Sequence, residues 1–302
     1  MSIIFFGTGV FAIPALRALA DQVSLVITQP DRPSGRGMRL TPSPIKLLAL
    51  ELGLPVETPE RSRAPEWVEK FESLAPDALL VASYGQILSQ RVLDSARCGG
   101  INLHGSILPK YRGAAPIQRC ILNGDLESGI TLMQMDKGMD TGDVIEISRT
   151  PIGRDETYGE LQDRLAIIAA EMAVEWMPRI LKGDYSRIPQ NGEFATHAPK
   201  IEKSEAELHV ENAAKQEYDR FRAFTPEPGA FLRTASGVMR LSGARLSELQ
   251  GEPGTVLSTS PLTIAFANGA IELLEVQPEG KKRMTGKDFA NGARLRSGSR
   301  LV

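Results

Sequence analysis

The chain has 302 residues, 42% of them hydrophobic and 24% charged, with a formal net charge of −2. That balance excludes a low-complexity or collagen-like chain, no apolar run approaches the ~20 residues of a bilayer-spanning helix, and a start of Ser2-Ile3-Ile4-Phe5-Phe6 without a basic lead-in predicts a cytoplasmic protein with no membrane role. The mild acidity excludes a protein that coats nucleic acid over its whole surface, but it leaves room for one local basic face.

One large domain and one smaller one are expected at this length. Apolar runs at 3–6, 25–28, 78–82, 101–103 and 131–134 predict strands, and amphipathic stretches at 11–20, 45–52, 65–74 and 115–122 predict the helices between them. This alternation is the α/β pattern of an open, mostly parallel Rossmann-like sheet with crossover helices. Gly7-Thr8-Gly9 with Ala12 fits G-x-G-x-x-A after the first strand, and Asp31 follows at about the 20-residue spacing of a dinucleotide site. A nicotinamide oxidoreductase is therefore one rival reading. Glycines serve the strand-to-helix turn of any doubly wound sheet, however, and Asp31 sits in the Pro/Gly loop Gln29-Pro30-Asp31-Arg32-Pro33-Ser34-Gly35-Arg36-Gly37, so no NAD is expected.

Thr157 and Glu160 have capping-box spacing before a helix at 161–181, whose Leu161, Leu165, Ile168, Met172 and Trp176 recur at helical intervals. That helix closes a first domain, 1–183. Gly, Pro, Asn and charge dominate 184–205, the expected inter-domain connection. In the remainder, 206–302, a helix at 210–224 precedes short strands at 230–234, 238–241, 254–257, 262–266 and 271–276. Five short strands predict an OB-like C-terminal β-barrel, an architecture that often binds nucleic acid. A noncatalytic RNA-binding protein is the second rival. Cys98 and Cys120 show no ligand spacing, and no metal is expected.

The chemistry is concentrated in Asn102-Leu103-His104-Gly105-Ser106-Ile107-Leu108-Pro109, where a strand runs into a loop. Open α/β sheets bind ligands at the carboxyl ends of their strands. Asn102 and His104 are two apart, so on extended backbone an amide donor and an imidazole share one face. That pairing suits acyl transfer to an amine, in which a carbonyl oxygen gains charge and a proton must leave the nucleophile. A carboxylate from the turn Asp136-Lys137-Gly138-Met139-Asp140-Thr141-Gly142-Asp143 would orient the imidazole. Asp140 is the choice here, although spacing alone prefers none of the three acids. His197 and His209 have no comparable neighbours and are assigned no chemistry.

In these residues the chain resembles the folate-dependent formyltransferases, whose signature is Asn-x-His, then Ser-Leu-Leu-Pro, then Asp-x-x-x-Asp-x-Gly-like residues. The matches are Asn102, His104, Ser106-Ile107-Leu108-Pro109 and Asp140-Thr141-Gly142, with Ile107 the single departure. The resemblance implies a formyltransferase fold for 1–183 and 10-formyl-tetrahydrofolate as the formyl donor, with neither metal nor NAD. It also implies that Asn102, His104 and Asp140 act on the formyl group and that Ser106, Ile107, Leu108 and Pro109 line the folate pocket. Thr28-Gln29-Pro30-Asp31-Arg32-Pro33 with Gly35-Arg36-Gly37, Tyr111-Arg112-Gly113-Ala114-Ala115-Pro116-Ile117-Gln118 and Gly280-Lys281-Lys282 resemble the branch that formylates methionyl initiator tRNA. That branch implies tRNA contacts on two basic segments, and a monomer is expected. The first is the loop carrying Arg36 and Arg39, beside Arg32 and Lys46. The second carries Lys281, Lys282 and Arg283 and runs on through Lys287, Arg294, Arg296 and Arg300, opposed by Asp288 alone.

Overall fold

A computed structural model describes residues 2–34 and 37–302. In chain order the first elements are β1 (Ile3–Gly7), α1 (Ile13–Ala18), β2 (Val23–Ile27), β3 (Arg32–Ser34), β4 (Arg39–Thr41), α2 (Pro44–Glu51), β5 (Val56–Glu57), α3 (Pro65–Leu74) and β6 (Ala78–Ala82). There follow α4 (Gln90–Asp94), β7 (Gly100–His104), β8 (Arg112–Gly113), α5 (Pro116–Leu122), β9 (Glu127–Gln134), β10 (Val144–Pro151), α6 (Tyr158–Lys182) and β11 (His197–Ala198). The last are α7 (Ala214–Ala223), β12 (Phe231–Thr234), β13 (Gly237–Ser247), β14 (Val256–Thr259), β15 (Leu262–Ala265), β16 (Ala270–Pro278), β17 (Met284–Thr285) and α8 (Gly286–Gly292). No helix among the described residues is long and apolar enough to cross a membrane.

The expected mostly parallel sheet has seven strands in the order β10-β9-β7-β6-β1-β2-β5. β5, β2, β1, β6 and β7 pair in parallel, and β9 runs antiparallel to β7. Every residue of β1 and β6 is buried, which is why both read as uninterrupted apolar runs, as central parallel strands do. Ile4, Phe6, Leu79 and Val81 share a core cluster with Val68 and Phe71 of α3, and the Phe6 ring meets those of Phe71 and Tyr84 edge-on.

The glycines after β1 have a packing role. A Cβ added to Gly7 would lie 2.7 Å from the Phe5 ring and 3.2 Å from the Ala82 carbonyl oxygen, so only glycine fits between β1 and β6. The Thr8 and Gly9 N–H groups, which a pyrophosphate would need, donate to the Ser83 carbonyl at 3.1 and 3.4 Å. Asp31, at the ribose position of the dinucleotide pattern, is paired with Lys46 at 2.8 Å.

The chain divides into two compact units that do not follow chain order. The first comprises Met1–Pro116, Glu127–Thr150 and Gln162–Pro199; the second comprises Ile117–Leu126, Pro151–Leu161 and Lys200–Val302. The segment read as a connection, 184–205, is thus split, with its part up to Pro199 in the first unit. Polar composition hid its role there, because its contribution is backbone pairing. Ile188 and Val144 exchange two hydrogen bonds of 2.8 Å, and β11 pairs with β8.

In the second unit the sheet order is β12-β13-β16-β15-β14, with β17 added to β16, and every pair is antiparallel. Among the described residues β12 and β14 stand at the ends of this path and do not pair with each other. The C-terminal strands, expected from their count to form an OB-like barrel, thus form an antiparallel sheet, and closure of that sheet into a barrel is not found among the described residues. Count alone cannot fix closure, and β13 is longer than expected because a register shift between Leu241 and Ala244 carries the strand past Gly243 as a bulge.

Candidate active site

His104 ends β7, opposite Thr131 of the antiparallel β9 and two residues beyond the last parallel pair with β6, Val81 with Asn102, and it is 5% exposed. Its Nε2 lies 3.0 Å from the Tyr111 carbonyl oxygen. A carbonyl offers only lone pairs, so Nε2 carries the proton and donates it, which leaves Nδ1 of the neutral ring as the acceptor. Nδ1 faces Asp140 Oδ2 at 3.6 Å, an ion-pair distance beyond a direct hydrogen bond. Protonation at Nδ1 therefore creates a cation against a carboxylate already in place.

The Asp140 carboxylate is held by the Gly113 N–H, which donates to Oδ2 at 2.8 Å. Gly113 has φ +125°, and a Cβ there would lie 2.7 Å from the Ala198 carbonyl oxygen, so glycine alone permits this approach. Of the three acids in the turn, Asp136 accepts from the Gly138 N–H at 2.9 Å and from the Thr141 hydroxyl at 2.7 Å, and so shapes the turn itself. Asp143 offers its backbone carbonyl to Gln134 N at 2.9 Å. Asp140 is the acid placed against His104.

Asn102 is half-buried and lies two residues before His104 on β7, opposite Met133 of β9. Among the described residues its carboxamide has no hydrogen-bond partner, so an amide donor on the imidazole's face of the strand is left free.

The loop after β7 divides its four residues between two tasks. Ser106 and Leu108 are 1% and 3% exposed. The Thr131 hydroxyl of β9 donates to the Ser106 carbonyl at 2.6 Å and accepts from Leu108 N–H at 3.1 Å, while Leu108 packs with Met133 and Val144. Ile107 and Pro109 are half-buried and keep accessible apolar surface. Thr131 and Gly113 were both missed as site residues. Their contributions are a bridging hydroxyl and a close backbone approach, and neither leaves a side-chain pattern in sequence.

The basic residues fall on separate units. Arg39 stands exposed on β4, in a hairpin with β3, and Arg36 lies outside the described residues. Lys281, Lys282 and Arg283 are exposed in the connection from β16 to β17. Arg283 lies 3.6 Å from Glu275, and Arg300 pairs with Glu252 at 3.2 Å. Lys281, Lys282, Lys287, Arg294 and Arg296 have no ion-pair partner among the described residues. No group of three or more His, Cys, Asp or Glu among those residues is arranged to hold a metal ion.

A family model described as formyl transferase matches residues 1–181, and one described as formyl transferase, C-terminal domain, matches residues 200–294. The chain belongs to the formyl transferase family. It is similar along its whole length to the methionyl-tRNA formyltransferase of Symbiobacterium thermophilum, at 44% identity over 310 residues covering 100% of this chain and 95% of that protein. The methionyl-tRNA formyltransferase of Halorhodospira halophila is 44% identical over 300 residues, covering 97% and 96% of the two chains. Among solved structures, an N-formyltransferase from Helicobacter canadensis in complex with folinic acid and dTDP-3-aminofucose aligns with a TM-score of 0.69 at 19% identity, covering 89% of this chain and 97% of that one. HypX from Aquifex aeolicus in complex with tetrahydrofolic acid aligns with a TM-score of 0.63 at 17% identity over 99% of this chain and 50% of its own. At such identities these structures bear on the fold alone.

Proposed function

We propose that this chain transfers the formyl group of 10-formyl-tetrahydrofolate to the free α-amine of methionyl initiator tRNA, giving N-formylmethionyl-tRNA for translation initiation. The full-length match at 44% identity to a methionyl-tRNA formyltransferase carries this reading. Asn102, His104 and Asp140 supply a matching chemistry. The amine nitrogen attacks the formyl carbon, and the carbonyl oxygen becomes an oxyanion that the free Asn102 carboxamide stabilises; one such donor is worth ~2.7–4 kcal/mol of activation free energy. His104 takes the amine proton at Nδ1 with Asp140 balancing the charge. The bond from carbon to the folate nitrogen then breaks, the proton passes to that nitrogen, and tetrahydrofolate leaves. Ile107 and Pro109 offer apolar surface to the folate, while Ser106 and Leu108 fix the shape of the loop.

The same reading makes residues 1–183 catalytic and gives the second unit's sheet an OB-like role as a platform for tRNA. Lys281, Lys282 and Arg283 contact phosphates there, and Arg36 and Arg39 do so from the first unit. The protein would act as a monomer in the cytoplasm.

Incubation with 10-formyl-tetrahydrofolate and either methionyl initiator tRNA or glycinamide ribonucleotide tests the acceptor. N-formylmethionyl-tRNA is the expected product, and formylation of the small amine alone would reassign the substrate. Replacing Lys281 and Lys282 together by alanine is expected to weaken tRNA binding and to lower the slope of log K against log salt by about one per contact removed. Filter binding across a salt series measures this, and an unchanged slope would exclude both lysines from the interface.

A further inference from the structure

We propose that Gln190 is a positioning residue that holds Asp140 against His104; this rests on the proposed role of Asp140 in formyl transfer. Asp140 adopts φ +54°, a left-handed conformation uncommon outside glycine but tolerated by aspartate, and the turn around it is held by hydrogen bonds from outside. Gln190 Nε2 donates to the Asp140 carbonyl at 2.9 Å and to the Gly142 carbonyl at 2.7 Å, gripping the turn on both sides of Thr141. The other end of the same carboxamide accepts from Arg112 Nε and an Arg112 terminal nitrogen at 3.1 and 2.7 Å. Arg112 lies between Tyr111, whose carbonyl fixes the His104 tautomer, and Gly113, whose N–H holds the Asp140 carboxylate. One amide thus ties together the two loops that present the imidazole and its acid.

The backbone around Gln190 supports this placement. Ile188 bridges Val144 with two hydrogen bonds of 2.8 Å, which sets Gln190 beside the 140–142 turn. Eight residues after Ile188, Thr196 accepts from Arg112 N–H through its carbonyl and from Tyr111 N–H through its hydroxyl, both at 2.8 Å. The segment 188–198 is therefore a strap across both loops. Glutamine is suited to the central position because it is a donor and an acceptor at once. Glutamate keeps the acceptor for Arg112 but presents lone pairs to two carbonyls, and methionine removes both functions at similar volume.

The test compares Gln190→Met, Gln190→Glu, Asp140→Asn and the double variant Gln190→Met/Asp140→Asn in single-turnover formylation of methionyl initiator tRNA, with thermal unfolding as a check on folding. Misplacing a reacting group by about 1 Å costs on the order of 10²-fold. Each Gln190 variant should therefore lower the rate by about 10–100-fold, with the KM for both substrates within about twofold of wild type. In the Asp140→Asn background the Gln190→Met change should add no more than about twofold, because the group it positions is already gone. A folded Gln190→Met enzyme with wild-type rate would overturn the inference, as would a loss that repeats in full in the Asp140→Asn background. If Gln190→Met does not fold, Gln190→Glu, which keeps the Arg112 contact, decides the matter. Wild-type rate in Asp140→Asn itself would remove the role of Asp140, and the inference with it.

Discussion

Replacing His104 with alanine is expected to lower kcat for formylation by about 10²–10⁴, the usual worth of a positioned acid–base group, with much smaller changes in KM. The magnitude follows from how completely the fold defines the imidazole. Its backbone is paired with Thr131 of β9, its Nε2 proton is committed to the Tyr111 carbonyl at 3.0 Å, and Nδ1 is left facing Asp140 at 3.6 Å. No other described histidine offers a substitute, since His197 and His209 are both exposed. The substitution also leaves the Tyr111 carbonyl without its donor, a cost of about 1–3 kcal/mol if water does not replace it, so thermal unfolding should accompany the rates. His104→Gln separates the two effects, because its amide can donate to Tyr111 but cannot take a proton at neutral pH. It should recover stability without recovering rate. Initial rates at saturating donor and tRNA measure the effect, and a folded alanine variant within about fivefold of wild type would remove His104 from the chemistry.

Much of the fold was legible where its physics is local. Strands buried on both faces, such as β1 and β6, announce themselves as apolar runs. Helix α3 matches its expected limits, because Pro65 opens it and Val68 and Phe71 mark its buried face. The Thr157–Glu160 capping box is present, with Thr157 N–H donating to the Glu160 carboxylate at 2.8 Å and Glu160 N–H approaching the Thr157 hydroxyl at 3.5 Å. What was illegible depends on pairings that the local residue pattern does not name. The hairpin of β3 and β4 lay hidden in a Pro/Gly segment read as a loop, and β10 in a stretch whose Glu146, Ser148 and Arg149 obscure its apolar residues. Strand β13 looked finished at Leu241 because Ser242-Gly243 mimics a turn. At the site, Asn102 and His104 could be paired by strand periodicity, but the choice of Asp140 over Asp136 and Asp143 needed the fold. Gln190, among Pro189, Asn191 and Gly192, carries the composition of a linker and the function of a clamp.

Arg222→Ala is expected to destabilise the second unit by about 3–5 kcal/mol, the cost of removing one partner from a buried ion pair. Arg222 on α7 is 3% exposed and Asp219 4%. One terminal nitrogen of Arg222 donates to Asp219 Oδ1 at 2.5 Å, and the other reaches the carbonyls of Glu156 at 3.0 Å and Gly153 at 3.3 Å. Beside it the Tyr218 hydroxyl donates to Asp155 at 2.8 Å, and burial, reinforced by that carboxylate, raises the proton affinity of the phenol, so this donor stays protonated near neutral pH. These contacts fasten Pro151–Leu161, a segment from the middle of the chain, onto α7 within one unit. Truncation strands a buried carboxylate and two carbonyls at once. Lys215 also pairs with Asp219, but its side chain is mostly exposed and returns only a small part of the loss, which places the expectation near the lower end of the range. Hydrogen exchange across 151–161 and 214–223 resolves the effect from unfolding of the first unit. Faster exchange in both segments together is the expected signature, and a change below about 1 kcal/mol would show that the pair is dispensable. Arg222→Leu combined with Asp219→Leu should be milder than Arg222→Ala alone, because removing both partners leaves no unpaired charge at either position.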